Sequence, residues 1–182
     1  MLQRASDTGG VDHLSDALKR FRCCKDKDIE DFLHDKAVDF LQRGWCSVYL
    51  IVDESAFDSG EIKIDAYFTL SHKSLIPDAA SKNSIYKASG FKDSDSIHFV
   101  LIGQLGKYIE DLNDGTTHSA AITSTEILDF AFDIIRAASD LIPCRCVLVE
   151  CSDNRKVQKV YEKYQFSKFQ HDGEHQQYYK RI

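Results

Sequence analysis

The stretch 147-VLVECSDNRKVQKVYEKYQF-166 decides the fold. Its apolar, β-branched opening reads as part of a buried strand over Arg145–Cys151. The polar elbow Ser152-Asp153-Asn154 follows. Asn154 is of the residue type that caps helices by accepting hydrogen bonds from free N–H groups. A helix is therefore predicted from about Asn154 to Tyr164. Beyond it, "FSKFQ" and "QQYYKRI" read as two short strands around the turn "HDGEH".

Working back from that stretch, "STEILDFAFDIIRAASDLI" has the spacing of an amphipathic helix. Thr123-Ser124-Thr125-Glu126 matches a capping box at its start, and Pro143 closes it. "IHFVLIGQL" from Ile97 is the strongest buried-strand signal, and "GKYIEDLNDGTTHSAAIT" reads as a long connection. "CSVYLIVD" and "IKIDAYFTLS" read as an antiparallel strand pair joined by turn chemistry in "ESAFDSGE". Between the second of these and Ile97 the chain is polar, with one short helix near Ser84–Ser89. "DKDIEDFLHDKAVDFLQRG" places Ile29, Phe32, Leu33, Ala37, Phe40 and Leu41 on one helical face. Asp26 suits its N-cap, Asp28 and Glu30 its positive N-terminal end, and Gly44 its stop. "LKRFRC" from Leu18 reads as either a short strand or a helix end. Residues 1–10 are expected to be frayed and 11–182 to form a single domain. The element order is helix, β, β, β, helix, β, helix, β, β. The strand–helix–strand connection in the middle implies parallel pairing and the ends imply antiparallel hairpins, so the class is α/β with a mixed sheet.

Composition narrows the function. One chain of 182 residues can bury a substantial core. No apolar run approaches the roughly 20 residues needed to span a bilayer, and "MLQRASDTGGVDHLSD" lacks an apolar signal core. A cytoplasmic, reducing setting with free thiols is the expectation for the six cysteines. A net charge of −6 argues against broad binding to a phosphate backbone. One basic patch stands out, formed by Arg155, Lys156, Lys159, Lys163 and Lys168. It reads either as a solvated helix face or as a site for a phosphorylated ligand. "HSAAITS" before the capped helix is built of small residues, and free N–H groups at a helix start bind phosphate. By itself such a loop is more often only a turn.

Taken together, "IHFVLIGQLGK", "ITSTEILDFAF" and "CVLVECSDNRKVQKVYEKYQF" resemble the acetyl-CoA-binding core of the GNAT N-acetyltransferase superfamily. "FRCCKDKDIEDFLHDKAVDFL", "YLIVD" and "AYFTLS" resemble the N-terminal half of the branch that includes the acetylating toxins of bacterial toxin–antitoxin pairs. The resemblance implies a mixed, mostly antiparallel central sheet flanked by helices, with acetyl-CoA as cosubstrate. It places the backbone of Leu105, Gly106 and Lys107 against the pantetheine arm and that of Ala121, Ile122, Thr123 and Ser124 against the pyrophosphate. Asn154 would contact the cofactor arm. Tyr161 would protonate the departing thiolate, a role open to a phenol that keeps its proton at neutral pH. Two departures stand out. Ile122 and Ser124 occupy positions where the family has glycine, and Gln165 replaces the glycine of the family's "YEKxGF".

Candidate general bases, by residue type, are Glu150, His98, His72 and Glu110. Cys144, Cys146 and Cys151 lack the paired spacing of a zinc site, as do Cys23 and Cys24, so no metal is expected. His171 and His175 flank a turn and read as hairpin residues. The acceptor implied is an amine: either an aminoacyl-tRNA, as in the toxin relatives, or a small-molecule or protein amine. A homodimer and an antitoxin-like protein are the partners the resemblance suggests; no membrane partner is expected. The competing reading is a non-catalytic module of the same fold that binds CoA or a protein.

Overall fold

The computed structural model describes residues 2–4 and 11–182, with side chains from Leu14 onward. In chain order the elements are β1 (Leu2–Arg4), α1 (Val11–Arg20), α2 (Lys27–Asp31), a π-helical turn (Phe32–Lys36), α3 (Ala37–Gln42), β2 (Ser47–Val52), α4 (Glu54–Asp58), β3 (Ile64–Leu75) and α5 (Lys82–Ser89). They continue with β4 (Ile97–Lys107), β5 (Ile109–Asp111), β6 (Thr117–Ser119), α6 (Ser124–Ser139), β7 (Cys146–Cys151), α7 (Arg155–Lys163), β8 (Ser167–His171) and β9 (Gln176–Arg181). The seven-stranded sheet has the order β1-β2-β3-β4-β7-β9-β8. Pairing is antiparallel in β1–β2, β2–β3, β7–β9 and β8–β9, and parallel in β4–β7. This is the mixed, mostly antiparallel sheet expected. No helix among the described residues is long and apolar enough to cross a membrane.

The chain divides into two compact units, residues 1–70 with 104–127, and 71–103 with 128–182. In the first, α1 and the α2–α3 helix bury Ala17, Leu18, Phe21, Phe32, Leu33 and Ala37 against Val48, Leu50, Ile64 and Tyr67. The helix expected over Asp26–Gly44 forms, with Asp26 accepting from the Ile29 N–H and Gly44 at φ +69°. Its middle is a π turn, closed by the Ala37 N–H on the Phe32 carbonyl, and the apolar face stays inward. "LKRFRC" begins as the end of α1. "ESAFDSGE" is not a simple turn: Asp53 accepts from the Ser55 and Ala56 N–H groups and nucleates α4. Of the segment expected to be frayed, Leu2–Arg4 pairs with β2, and the rest lies outside the described residues.

In the second unit α5 covers a core of Leu75, Ile85, Ala88, Phe99, Leu148, Phe169 and Tyr179. Around α6 and α7, Phe132 meets Tyr164 and Phe166 with ring centroids at 5.5 and 5.9 Å. All six cysteines are free thiols.

Candidate active site

The residues singled out by the sequence fall into two groups. Leu105–Lys107 and Ala121–Ser124 belong to the first unit, Asn154 and Tyr161 to the second.

In the first unit, β4 ends at Lys107 and α6 starts at Ser124. The long connection between them is no loose loop. It folds as the β5–β6 hairpin, with Ile109 opposite Ser119 and Gly115 turning the tip at φ +81°. The Ala120 N–H donates to the Tyr108 carbonyl at 3.1 Å. The hairpin thus returns the chain to its starting point, and the strand end and the helix start become neighbours. Three-residue strands leave almost no periodicity, so this hairpin has no signature in the residue pattern.

Gly106 is fixed by packing. A Cβ there would lie 2.3 Å from Ile29 Cγ2 and 3.0 Å from Tyr67 Cε1. Tyr67 is itself anchored by its hydroxyl on the Ile29 carbonyl at 2.6 Å. At the helix start the capping box is complete. Glu126 Oε2 accepts from the Thr123 N–H at 2.8 Å and from its hydroxyl at 2.7 Å, and Thr123 Oγ1 accepts from the Glu126 N–H at 3.3 Å. Those bonds hold the Glu126 carboxyl below the usual range. The Thr123 amide is therefore taken by its own helix. Among the described residues, the N–H groups of Ala121, Ile122, Ser124 and Thr125 meet no acceptor.

In the second unit the parallel β4–β7 ladder covers Val100–Val147, Leu101–Leu148 and Ile102–Val149. The elbow after β7 delivers Asn154 as the N-cap of α7: its Oδ1 accepts from the Lys156 N–H at 3.0 Å. That oxygen is committed to the helix, while Nδ2 meets no acceptor among the described residues.

Tyr161 sits in the last turn of α7, and the helix terminus explains its placement. The Phe166 N–H bonds the Tyr161 carbonyl at 2.9 Å and the Gln165 N–H bonds the Glu162 carbonyl at 3.0 Å. This is the Schellman pattern, with its accompanying apolar contact between the Tyr161 and Phe166 rings at 5.6 Å. The residue that must turn left-handed in this motif is Gln165, at φ +69°. Tyr161 is 8% exposed, and burial pushes its phenol well above the ordinary value. It keeps its proton at any physiological pH. Tyr178 lies beside it, ring centroids 6.2 Å apart, fully buried, and its hydroxyl meets no hydrogen-bond partner within 3.5 Å among the described residues. Sequence reasoning passed over Tyr178 because alternating aromatics in a terminal strand read as core.

The candidate bases are mostly engaged. Both Glu150 oxygens meet Lys73 Nζ at 2.8 and 2.7 Å, and Gln177 Nε2 donates to Oε1 at 2.6 Å. Glu110 accepts from the Tyr108 hydroxyl at 2.7 Å, and burial together with that bond pushes the Tyr108 phenol up to about 12. His98 shares a hydrogen bond with Ser74 at 2.6 Å, and His72 is exposed. Glu30, Asp31 and His34 bring metal-type donors together, but Lys27 already pairs with both carboxylates at 2.8 and 2.6 Å. The basic side chains of Arg155, Lys156, Lys159, Lys163 and Lys168 are all exposed, and Arg155 is paired with Glu162 at 2.8 Å.

No family model matches the sequence, and no curated protein matches it. Solved structures do. AtaT in complex with acetyl-methionyl-tRNAfMet superposes with a TM-score of 0.73 at 18% identity, over 100% of this chain and 94% of that one. A tyrosine-to-phenylalanine variant of KacT gives 0.72 at 14% identity, over 100% and 94%. A tyrosine-to-phenylalanine variant of the AtaT toxin, bound to the C-terminus of the antitoxin AtaR and to acetyl-CoA, gives 0.69 at 15% identity, over 100% and 92%. The chain has the fold of these proteins, which is the fold the GNAT resemblance implied.

Proposed function

We propose that this chain is an acetyl-CoA-dependent N-acetyltransferase that transfers acetyl to a primary amine by direct attack. The amine nitrogen adds to the thioester carbonyl, the C–S bond breaks, and the Tyr161 hydroxyl gives its proton to the departing thiolate. The attacking nitrogen loses a proton to water or base, and Tyr161 is reprotonated from solvent. The observation that carries this reading is the position of Tyr161, set by a Schellman motif on the helix that follows β7. Two of the structural neighbours carrying tyrosine-to-phenylalanine replacements add support.

The other roles follow. The N–H groups of Ala121, Ile122 and Ser124 are assigned to the pyrophosphate, and that of Thr123 only after Glu126 swings away. The backbone of Leu105, Gly106 and Lys107 is assigned to the pantetheine arm, with Asn154 Nδ2 as a further donor to it. The toxin neighbours make the α-amine of an aminoacyl-tRNA the leading acceptor and an antitoxin-like protein the leading partner. The exposed lysines of α7 and β8 suit a polyanion, although the net charge of −6 opposes one.

The test is Tyr161→Phe. It should leave acetyl-CoA affinity unchanged and lower turnover by about 100- to 10,000-fold, the usual worth of a general acid. Undiminished turnover in the variant refutes the assignment. The occupied Thr123 amide favours a second reading, a CoA-binding or protein-interaction module without turnover. Calorimetry with acetyl-CoA, followed by thioester consumption, separates the two.

A further inference from the structure

The first unit holds a cavity of about 180 Å³ that no step above uses. Ala17 and Phe21 of the α1 end, Ile62 and Ile64 entering β3, and the Tyr108 ring give it an apolar floor. Phe21 and Tyr108 meet edge to face at 6.0 Å, and Tyr108 meets His118 of β6 at the same distance. These contacts fix three of its walls. Ala17, Phe21 and Ile64 are at most 3% exposed, so the floor is part of the rigid core.

Its rim carries charges of both signs: Arg20, Lys63 and Glu61. Lys63 is already neutralised, by Asp53 Oδ2 at 2.9 Å. The Arg20 guanidinium donates to the Ile62 carbonyl at 3.2 Å, a neutral partner, and pairs with no carboxylate among the described residues. Among the described residues no side chain meets the Glu61 carboxylate. Arg20 and Glu61 therefore stand on the rim of one apolar hollow with no ion pair of their own among the described residues.

We propose that this cavity binds a small amphipathic zwitterion of the α-amino-acid class. Its carboxylate meets Arg20, its ammonium meets Glu61, and its apolar side chain lies against the half-buried Ile62 and Tyr108 side chains. A simple anion would satisfy Arg20 and be repelled by Glu61, and a simple amine the reverse. The volume holds roughly a dozen water-sized groups. That is below the range of drug-sized ligands and matches a single amino acid.

The test uses the full chain without acetyl-CoA, so its outcome does not depend on the acetyltransferase reading. Free L-leucine and L-phenylalanine are titrated while the aromatic resonances of Phe21, Tyr108 and His118 are followed by NMR. Saturable shifts at those rings are expected. Isocaproate, which lacks the ammonium, and isoamylamine, which lacks the carboxylate, should each bind at least about tenfold more weakly. Arg20→Gln and Glu61→Gln, both exposed and checked for folding by circular dichroism, should each weaken leucine by a similar factor. No shift at the three rings, equal binding of the truncated ligands, or variants that bind like the parent would each overturn the proposal.

Discussion

Replacing Gln165 by glycine should make the protein more stable, although it deletes an entire side chain. Gln165 is the left-handed residue of the Schellman motif that ends α7, at φ +69°. An L-residue with a Cβ pays about 1–2 kcal/mol in that region, and its exposed side chain has no packing to lose. Glycine removes the strain but gives the unfolded chain more freedom, which costs about 0.4–1 kcal/mol. The net expectation is a gain of about 0.5–1 kcal/mol. In a chain of this length that corresponds to a rise of about 1–4 °C in Tm. The two terminal hydrogen bonds, at 2.9 and 3.0 Å, should survive, because glycine keeps the amide that donates one of them. The assay is urea unfolding followed by tyrosine fluorescence, with Gln165→Asn and Gln165→Val beside the glycine variant. The expected order is glycine above asparagine, asparagine at or above the parent, and valine lowest, since β-branching suits positive φ least. If glycine lowers the midpoint, or valine matches the parent, position 165 is not strained and this account of the α7 terminus is wrong.

Three other perturbations test the first unit. Gly106→Ala should destabilise by about 1–3 kcal/mol through overpacking on Ile29 and Tyr67, and Ile29→Ala in the same chain should recover part of that loss in urea unfolding. The Asp53 carboxyl is held well below its ordinary value by Ser55, then Lys63 and the Ala56 N–H. Its stabilising contribution is therefore present above the ordinary carboxylate pKa of about 4 and fades as pH falls through the lowered folded value; Asp53→Asn should flatten the acid limb of a stability–pH profile. Glu126→Gln removes a negative charge from the start of α6 while leaving a hydrogen-bonding side chain. If that helix end receives a pyrophosphate, the variant should bind acetyl-CoA several-fold more tightly in calorimetry, and weaker binding would count against the site.

The sequence disclosed elements wherever one residue type dominated the local energetics. The capping box at Thr123 and Glu126, the Asp26 cap and the β-branched runs of β2, β4 and β7 are all where the pattern put them. It was silent where geometry is set by contacts distant along the chain. The π turn adds a residue within a continuous apolar face, so the pattern that predicts the helix cannot reveal it. The division into two units is hidden because the chain crosses between them at residues 70, 103 and 127, inside β3, β4 and the first turn of α6. The Asp53 cap turned a stretch rich in turn residues into helix, an outcome decided by one carboxylate.

Gln165 shows why a motif can fade from a sequence while its physical basis persists. A glycine at that point is favoured because the backbone must turn left-handed for the Phe166 N–H to reach the Tyr161 carbonyl. Glutamine still makes the turn, at a cost about one-tenth of a typical domain's stability. The hydrogen bonds and the Tyr161–Phe166 ring contact form, so the α7 terminus that carries Tyr161 closes without glycine. The same reasoning applies to Ile122 and Ser124. Neither has a positive φ, and an amide needs no glycine to donate unless the backbone turns left-handed or the ligand passes where a Cβ would stand. The feature of this loop that competes with an anion is Glu126, whose carboxylate already holds one of the amides. A comparison of acetyl-CoA binding between Glu126→Gln and a Ser124→Gly variant decides between the two explanations: the first should respond strongly and the second hardly at all.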